Sequence, residues 1–453
     1  MTPSSSTSLH IDRDVTPPAT GIRIEPDIDL CQSDLPLDWY QDAFRPYAEE
    51  YLALPDRKPD TVLDWMDRYV VPALEHFGGR LMLLAHYYMG GAIVKLVERY
   101  GGHIADSYQL ALQAVAHPKV ALFVESAVHF MAETIALLAH PHQTVYITNP
   151  KSGCTMEMMA KEAMVAPAFE ALQARYGDDL MVVCYMNTSG RLKALAGRTG
   201  GAVCTSANAA VIMAWAREQG RRIFFVPDEH LGRNAARQVG IDPDRIAVWP
   251  GGWPGAQLTF EDLDPAVRQR MDRAQLILWG GFCGVHTVFR PEHVAYWKAR
   301  GYRVLVHPEC PAEVVEAADG FGSTRYLWRA IDQARPGERL AIATEGHFVR
   351  NAQEHARQRG VEIVHLADVP ELGGPGGCGC ATMSRNDPPH LVAMLDLLRQ
   401  GAPPDINRVL PGDMVDEITG DRQRLDADAR AALVEDARRA LHRMIELTEA
   451  AAR

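Results

Sequence analysis

Three cysteines follow hydrophobic runs of the α/β type and lie in glycine-containing turns. They are Cys154 in NPKSGCTME, Cys283 in WGGFCGVH and Cys380 in CGCATM. The carboxyl end of a strand is where open α/β sheets carry their sites. Thiolates bind iron–sulfur clusters and zinc, so the three positions predict one metal centre built from three distant parts of the chain.

A buried cysteine is often only a small hydrophobic residue. The flexible glycine neighbours of the three cysteines argue against that role, because a strand interior does not need them. Cys184 and Cys204 lie inside or at the end of strand runs, and we interpret both as structural. Cys310 and Cys378 are compatible with either role. Cys31 falls in the N-terminal segment.

The choice between a cluster and zinc decides the chemistry. If three thiolates hold a four-iron cluster, one iron keeps an open position and acts as a Lewis acid on a substrate oxygen. A zinc hydrolase with cysteine ligands is the alternative. The residues alone leave both open.

The elements that must position these residues alternate between strands and helices. This order predicts an α/β fold of parallel sheets with helices on both faces. The predicted strands are RLMLLAH, VALFVES, TVYIT, LMVVCYM, AVCTS, RIFFVP, QLILW, RVLVHP, LAIAT and VEIVHL.

The same order of features recurs in three blocks, which begin near residues 79, 179 and 301. Each opening strand ends in polar residues, each block continues with a serine before a helix, and each finishes with its cysteine. The polar strand ends are His86, Tyr87 and Tyr88, then Tyr185 and Asn187, then His307 and Glu309. The serines are Ser107, Ser206 and Ser323, the last followed by Thr324.

We predict that these serines cap their helices. A helix N-terminus offers free N–H groups and partial positive charge to anions, so three of them favour a polyanionic ligand. A histidine or glutamate directly beyond a strand is also typical of catalytic groups in α/β enzymes.

Composition excludes several partners. The chain has 453 residues, a formal charge of −12 and no block of Lys or Arg, which disfavours nucleic acid and anionic membranes. No stretch reaches about 18 apolar residues and the N-terminus lacks a signal-peptide pattern. We therefore expect a cytoplasmic enzyme of small molecules. Its eight cysteines are then not a disulfide framework.

These patterns also predict the domain organisation. The predicted segments are a flexible lead-in over 1–35, a helical segment over 36–77, α/β domains over 78–172, 173–290 and 291–384, and a helical C-terminal extension over 385–453.

Two motifs do not enter the predicted site. PDEHLGRN contains Asp228, Glu229 and His230, which suit a helix cap and a turn at least as well as a metal. The glycine-rich run 373–377 lacks the Lys-Ser/Thr and the strand-to-helix context of a phosphate loop.

The chain resembles the quinolinate synthase family, iron–sulfur enzymes of de novo NAD biosynthesis, over about residues 37–447. The resemblance rests on LLAHYY, IADSYQLA, VHFMAET, SGCTM, YMNTS, CTSANA, VPDEHLGRN, CGVH, VLVHPECP, GSTRYL and the closing CxTM. It implies three related α/β domains in a pseudo-threefold arrangement around a central 4Fe-4S cluster. It also implies condensation of iminoaspartate with dihydroxyacetone phosphate to quinolinate, phosphate and water, the imine coming from an L-aspartate-oxidising enzyme.

The resemblance further implies residue roles. Cluster ligands would be Cys154, Cys283 and Cys380, the last favoured over Cys378 by the Thr-Met that follows it. Glu309 would be the acid/base group, with Tyr88 and His86 as further catalytic residues. The substrate-binding residues would be His86, Ser107, Tyr185, Asn187, Ser206, His286, His307, Ser323 and Thr324. A non-catalytic iron–sulfur sensor on the same scaffold is the alternative function, and it would not need His86, Tyr88 and Glu309.

Overall fold

The computed structural model describes residues 35–251, 258–372, 379–416 and 418–453. Almost all of the predicted flexible lead-in lies outside them. Cys31, Cys378 and the glycine-rich run 373–377 also lie outside the described residues.

Two helices precede the first parallel sheet. Proline begins α2 at a position where its missing N–H costs no hydrogen bond. The elements are α1 (Arg45–Leu52), α2 (Pro59–Phe77), β1 (Leu81–His86), α3 (Gly91–Arg99), β2 (His103–Ala105), α4 (Ser107–Ala111), α5 (Gln113–Ala116), β3 (Leu122–Ser126), α6 (His129–Leu138), β4 (Thr144–Ile147), α7 (Thr155–Met158) and α8 (Glu162–Tyr176).

The second parallel sheet follows. Every residue of β5 is buried, as is typical of a parallel strand covered on both faces. The elements are β5 (Leu180–Tyr185), α9 (Gly190–Arg198), β6 (Ala202–Cys204), α10 (Ala209–Glu218), β7 (Arg222–Val226), α11 (Glu229–Gln238), β8 (Ile246–Trp249), α12 (Pro265–Arg273) and β9 (Leu276–Trp279).

The third parallel sheet and a C-terminal region complete the chain. Within that region, α17 packs against α2, while α18 packs against α9 and β6. The elements are α13 (Pro291–Lys298), β10 (Arg303–Val306), α14 (Ala312–Ala317), β11 (Gly320–Phe321), α15 (Thr324–Asp332), β12 (Arg339–Ala343), α16 (Gly346–Arg357), β13 (Glu362–His365), α17 (Pro388–Arg399), β14 (Met414–Val415), β15 (Arg422–Gln423) and α18 (Ala427–Ala452).

The predicted α/β fold is confirmed, and the first three strands have the same order in all three sheets, while the second sheet has a fifth strand. The orders are β2-β1-β3-β4, then β6-β5-β7-β9-β8, then β11-β10-β12-β13. In each sheet the opening strand pairs in parallel with the edge strand that follows it along the chain. The last residues of these strands are partners in all three sheets: His86 with Ala105, Tyr185 with Cys204, and Val306 with Phe321.

This shared register explains why the recurring residues lie together. Ser107, Ser206 and Ser323 each come two residues after the edge strand of their sheet. Each serine therefore lies beside the polar end of the opening strand, at the carboxyl edge where α/β sheets place their ligands.

A buried carboxylate joins the first sheet to the second and to the C-terminal region. Glu133 of α6 accepts hydrogen bonds from the backbone N–H of Gly190 through Oε2 and of Gly412 through Oε1, both at 2.6 Å. The side chain has no exposed surface. The fully buried ammonium of Lys193 interacts electrostatically with it.

We expect Glu133→Ala to lower the free energy of unfolding by about 3 kcal/mol, because it leaves two amide donors without their acceptor and a buried cation without its opposing charge. Urea denaturation of the variant measures this loss. The matched control is Glu435→Ala, whose carboxylate is exposed on α18 and should leave the midpoint nearly unchanged. Equal midpoints for the two variants would contradict a structural role for Glu133.

None of the helices in the described residues is long and apolar enough to cross a lipid bilayer.

Candidate active site

Residues from all three sheets line one buried cavity. It contains the three cysteines of the predicted metal centre and all but one of the other predicted site residues. The lining includes His86, Tyr88, Ser107, Cys154, Tyr185, Asn187, Ser206, Cys283, His286, His307, Glu309, Thr324 and Cys380. Ser323 instead lines an open groove between the second and third sheets, and this groove meets the cavity at Ser206.

Glu309 lies at the centre of the polar contacts in the cavity. The hydroxyl of Tyr185 donates a hydrogen bond of 2.5 Å to Oε1 of Glu309. Nδ1 of His286 lies 2.8 Å from Oε2 of the same carboxylate, and the His286 ring stacks on His307 with centroids 4.5 Å apart. Glu309 is only 3 % exposed, so these contacts form away from bulk water.

The charge state of Glu309 follows from these neighbours. Burial favours the neutral acid and would raise the pKa of the carboxyl group. The imidazoles of His286 and His307 and the hydroxyl of Tyr185 oppose burial and hold the pKa below its usual value. Glu309 is therefore ionised at neutral pH and able to accept a proton.

His86 and His307 are neutral for the opposite reason. Burial lowers the pKa of each to about 3, since neither imidazole has the solvent that a charged ring needs. Each Nδ1 accepts a backbone N–H two residues on, from Tyr88 at 3.2 Å and from Glu309 at 3.4 Å. These contacts place the proton on Nε2 of both rings, where it is available to donate.

Thr344 and Glu345, directly after β12, contribute to the site but are absent from the sequence prediction. Oγ1 of Thr344 contacts the hydroxyl of Tyr88 at 2.9 Å and Nε2 of His286 at 3.2 Å. Oε1 of Glu345 accepts the backbone N–H of Cys380 at 2.7 Å. Their position after a hydrophobic strand is the signal that could have identified them.

Hydrogen bonds also hold the cysteine turns together. Oγ of Ser152, two residues before Cys154, donates to the backbone carbonyl of Thr382, two residues after Cys380, at 2.8 Å. On the other side of the cavity, the N–H of Glu229 donates to the carbonyl of Gly281 at 2.8 Å and fixes the turn that carries Cys283.

The three thiols fit a shared inorganic group. Burial raises the pKa of Cys154, Cys283 and Cys380, and the negative charges of Glu309 and of the other two thiolates raise that of Cys283 further. Such thiolates are mutually repulsive unless a cation neutralises them. A cluster of iron ions supplies that charge, and sulfur is its preferred protein ligand.

Comparison with known proteins identifies the family. Residues 78–446 match the family model described as "NadA: Quinolinate synthetase A protein". The chain belongs to the quinolinate synthetase A family. It is therefore an enzyme, as are its relatives named quinolinate synthase.

Several relatives named quinolinate synthase align with most of the chain. The protein from Geobacillus kaustophilus is 40% identical over 348 residues, which cover 76% of this chain and 88% of the relative. The protein from Corynebacterium glutamicum is 36% identical over 358 residues, covering 78% and 86%. The protein from Bacillus velezensis is 34% identical over 362 residues, covering 79% and 91%.

The prediction of three helix-capping serines is wrong for two of them. Ser323 caps α15, where Oγ accepts the N–H of Tyr326 at 3.3 Å. Asp106 caps α4, so Ser107 is the first helical residue. Asn208, not Ser206, is the residue before α10. Ser107 and Ser206 therefore do not occupy the cap positions of these helices, and both line the cavity.

The remaining cysteines among the described residues and the PDEHLGRN motif have structural positions. Cys184 and Cys204 lie fully buried in β5 and β6, as predicted, and Cys310 is fully buried outside the cavity lining. Asp228 caps α11 by accepting the N–H of Leu231 at 2.6 Å, in agreement with the helix-cap interpretation.

Proposed function

We propose that this enzyme condenses iminoaspartate with dihydroxyacetone phosphate to form quinolinate, phosphate and water, in de novo NAD biosynthesis. The observation that carries the proposal is the convergence of three cysteines and an ionised Glu309 in one buried cavity. The names of the relatives support the product.

Cys154, Cys283 and Cys380 would hold a 4Fe-4S cluster. When bound, the cluster supplies an iron with an open position that acts as a Lewis acid on substrate oxygen. A cluster with only three protein ligands favours catalysis over the sensor function, because it leaves one iron open to substrate. A sensor also has no need of an ionised carboxylate beside the metal.

The substrates carry carboxylates and a phosphate, and the cavity offers neutral donors to bind them. Five residues with such donors line this space. They are His86 and His307, with imidazole Nε2–H groups, and Tyr88, Ser107 and Ser206, with hydroxyls. None of the lining residues in the described part of the chain is a lysine or arginine. The bound anions are therefore held by directed hydrogen bonds, which position reacting atoms better than mobile cationic side chains do.

Glu309 is the proposed acid/base group. Its Oε2 accepts and returns protons during the tautomerisation and loss of water that convert the condensed chain into an aromatic ring. Tyr185 and His286 hold the carboxylate in place from two sides. Burial excludes the water that would otherwise compete for these protons.

We expect Tyr185→Phe to slow quinolinate formation by about tenfold or more, which is the value of one hydrogen bond to a charged group. The loss of this donor also raises the pKa of Glu309, so the acidic limb of the pH–rate profile moves to higher pH. Steady-state assays across pH measure both effects. An unchanged acidic limb would show that another group controls that limb.

Anaerobic assay of the reconstituted protein with both substrates tests the function. Quinolinate formation by a brown protein with about four irons per chain supports the proposal. A brown protein without product favours the sensor, and a colourless zinc protein with hydrolase activity favours the third alternative.

The proposal extends to the surroundings of the site. We infer that the three sheets surround the cluster with pseudo-threefold symmetry, supported by the common order of the first three strands of each sheet. We further propose a cytoplasmic location and an L-aspartate-oxidising enzyme as the source of the imine.

A further inference from the structure

Three metal-binding side chains of different chemistry meet inside the cavity. A ligand atom of Cys283, one of His286 and one of Glu309 all lie within 4.8 Å of one another. Two of these residues are almost completely buried, with His286 only 1 % exposed and Glu309 only 3 % exposed. This trio differs from the cysteine trio and shares only Cys283 with it.

The short contact between His286 and Glu309 is not a well-directed hydrogen bond. Nδ1 of His286 lies 2.8 Å from Oε2 of Glu309, but the contact lacks the geometry of a directed N–H···O hydrogen bond. The other ring nitrogen, Nε2, is already in contact with Oγ1 of Thr344 at 3.2 Å. A metal cation bound by both Nδ1 and Oε2 would satisfy this buried nitrogen and the carboxylate oxygen beside it.

The second contacts of these residues resemble those of a built metal site. Thr344 occupies the far nitrogen of His286, and the hydroxyl of Tyr185 occupies Oε1 of Glu309 at 2.5 Å. Metal-binding histidines and carboxylates are commonly oriented in this way by a second partner. Nδ1 of His286 and Oε2 of Glu309 thus remain as the atoms of the two side chains that can bind a metal.

We propose that the chain without its cluster binds a single Zn²⁺ ion through Cys283, His286 and Glu309. Sulfur, imidazole nitrogen and carboxylate oxygen are all zinc ligands, and three protein ligands leave the fourth position of a tetrahedral ion open. A thiolate and a carboxylate neutralise the two charges of the ion, which suits a buried site. Mg²⁺ and Ca²⁺ prefer oxygen ligands and are disfavoured by the thiolate.

The consequence is competition between zinc and the cluster. This part of the inference rests on the proposed function, because both groups would need the Cys283 thiolate. A chain that has captured Zn²⁺ then takes up iron and sulfide only after the zinc is removed. The zinc site itself depends only on the three side chains and stands whether or not the protein makes quinolinate.

Co²⁺ titration of the full-length, iron-free chain tests the site, since thiolate-bound Co²⁺ has a charge-transfer absorption that Zn²⁺ displaces. We expect Cys283→Ala, His286→Ala and Glu309→Gln each to weaken Co²⁺ binding by more than about a hundredfold, beyond the effect of losing a group that only orients a ligand. Cys154→Ala and Cys380→Ala should keep both the absorption and the affinity.

The two sets of variants separate this site from the cluster site. A cysteine-only site would lose Co²⁺ in Cys154→Ala and keep it in His286→Ala, which would overturn the proposal. Circular dichroism of each variant identifies any that fails to fold. Iron uptake by the zinc-loaded wild-type chain tests the competition, and uptake at the rate of the metal-free chain would refute it.

Discussion

Cys283→Ala is expected to abolish cluster loading and to reduce quinolinate formation to background. The variant keeps only two of the three thiolates that line the cavity, and a cluster held by two protein ligands is not retained. Cys154→Ala and Cys380→Ala should have the same effect. Iron and sulfide content after anaerobic reconstitution measures the loading, and the visible absorption of the cluster reports it independently.

Two other cysteines provide matched controls. Cys310→Ala removes a fully buried thiol that does not line the cavity, so it should lower stability slightly and keep the iron. Cys378→Ala tests the choice between neighbouring cysteines in GGPGGCGC and should also keep the iron. Normal loading of the Cys283 variant, or loss of iron in Cys378→Ala alone, would require a different ligand set.

Much of the fold could be predicted because parallel strands in this chain are continuous hydrophobic runs. Each predicted run, such as LMVVCYM around β5, contains a strand of the structure. The strands β2, β8, β11, β14 and β15 are absent from the prediction, and all but β8 have only two or three residues. Runs of that length have no periodicity that separates them from loops.

The helix caps show where local pattern is insufficient. Ser107 and Ser206 have the residue type of a cap, but Asp106 caps α4, whose first residue is Ser107, and Asn208 is the residue before α10. Aspartate and asparagine cap as well as serine does, so composition alone could not choose between neighbours. The two serines that do not cap, Ser107 and Ser206, both line the cavity.

The contacts around Glu309 lie beyond sequence reasoning for another reason. Tyr185, His286 and Glu309 are separated by long stretches of chain, and only the arrangement of two sheets brings their atoms within hydrogen-bond distance. The recurring polar strand ends predict that these residues share an edge. They do not predict which oxygen meets which ring nitrogen, nor that Thr344 joins them.

Glu309→Gln is expected to keep the cluster and to slow turnover by about 10²- to 10⁴-fold, the usual contribution of a positioned acid/base group. Glutamine has nearly the same shape and preserves the packing against Tyr185 and His286. It carries no negative charge, so it cannot take up a proton at Oε2. Anaerobic single-turnover assays of quinolinate formation measure the loss, with iron content determined on the same sample.

Glu316→Gln is the matched control because the same substitution then falls on an exposed carboxylate of α14 that pairs with Arg237 at the surface. It should leave both iron content and turnover within about twofold of wild type, since exposed ion pairs contribute little. Near-normal turnover of Glu309→Gln would assign the proton transfers to another group. Loss of iron in that variant would instead indicate that Glu309 supports the metal centre, because the carboxylate lies among the ligand atoms that surround Cys283.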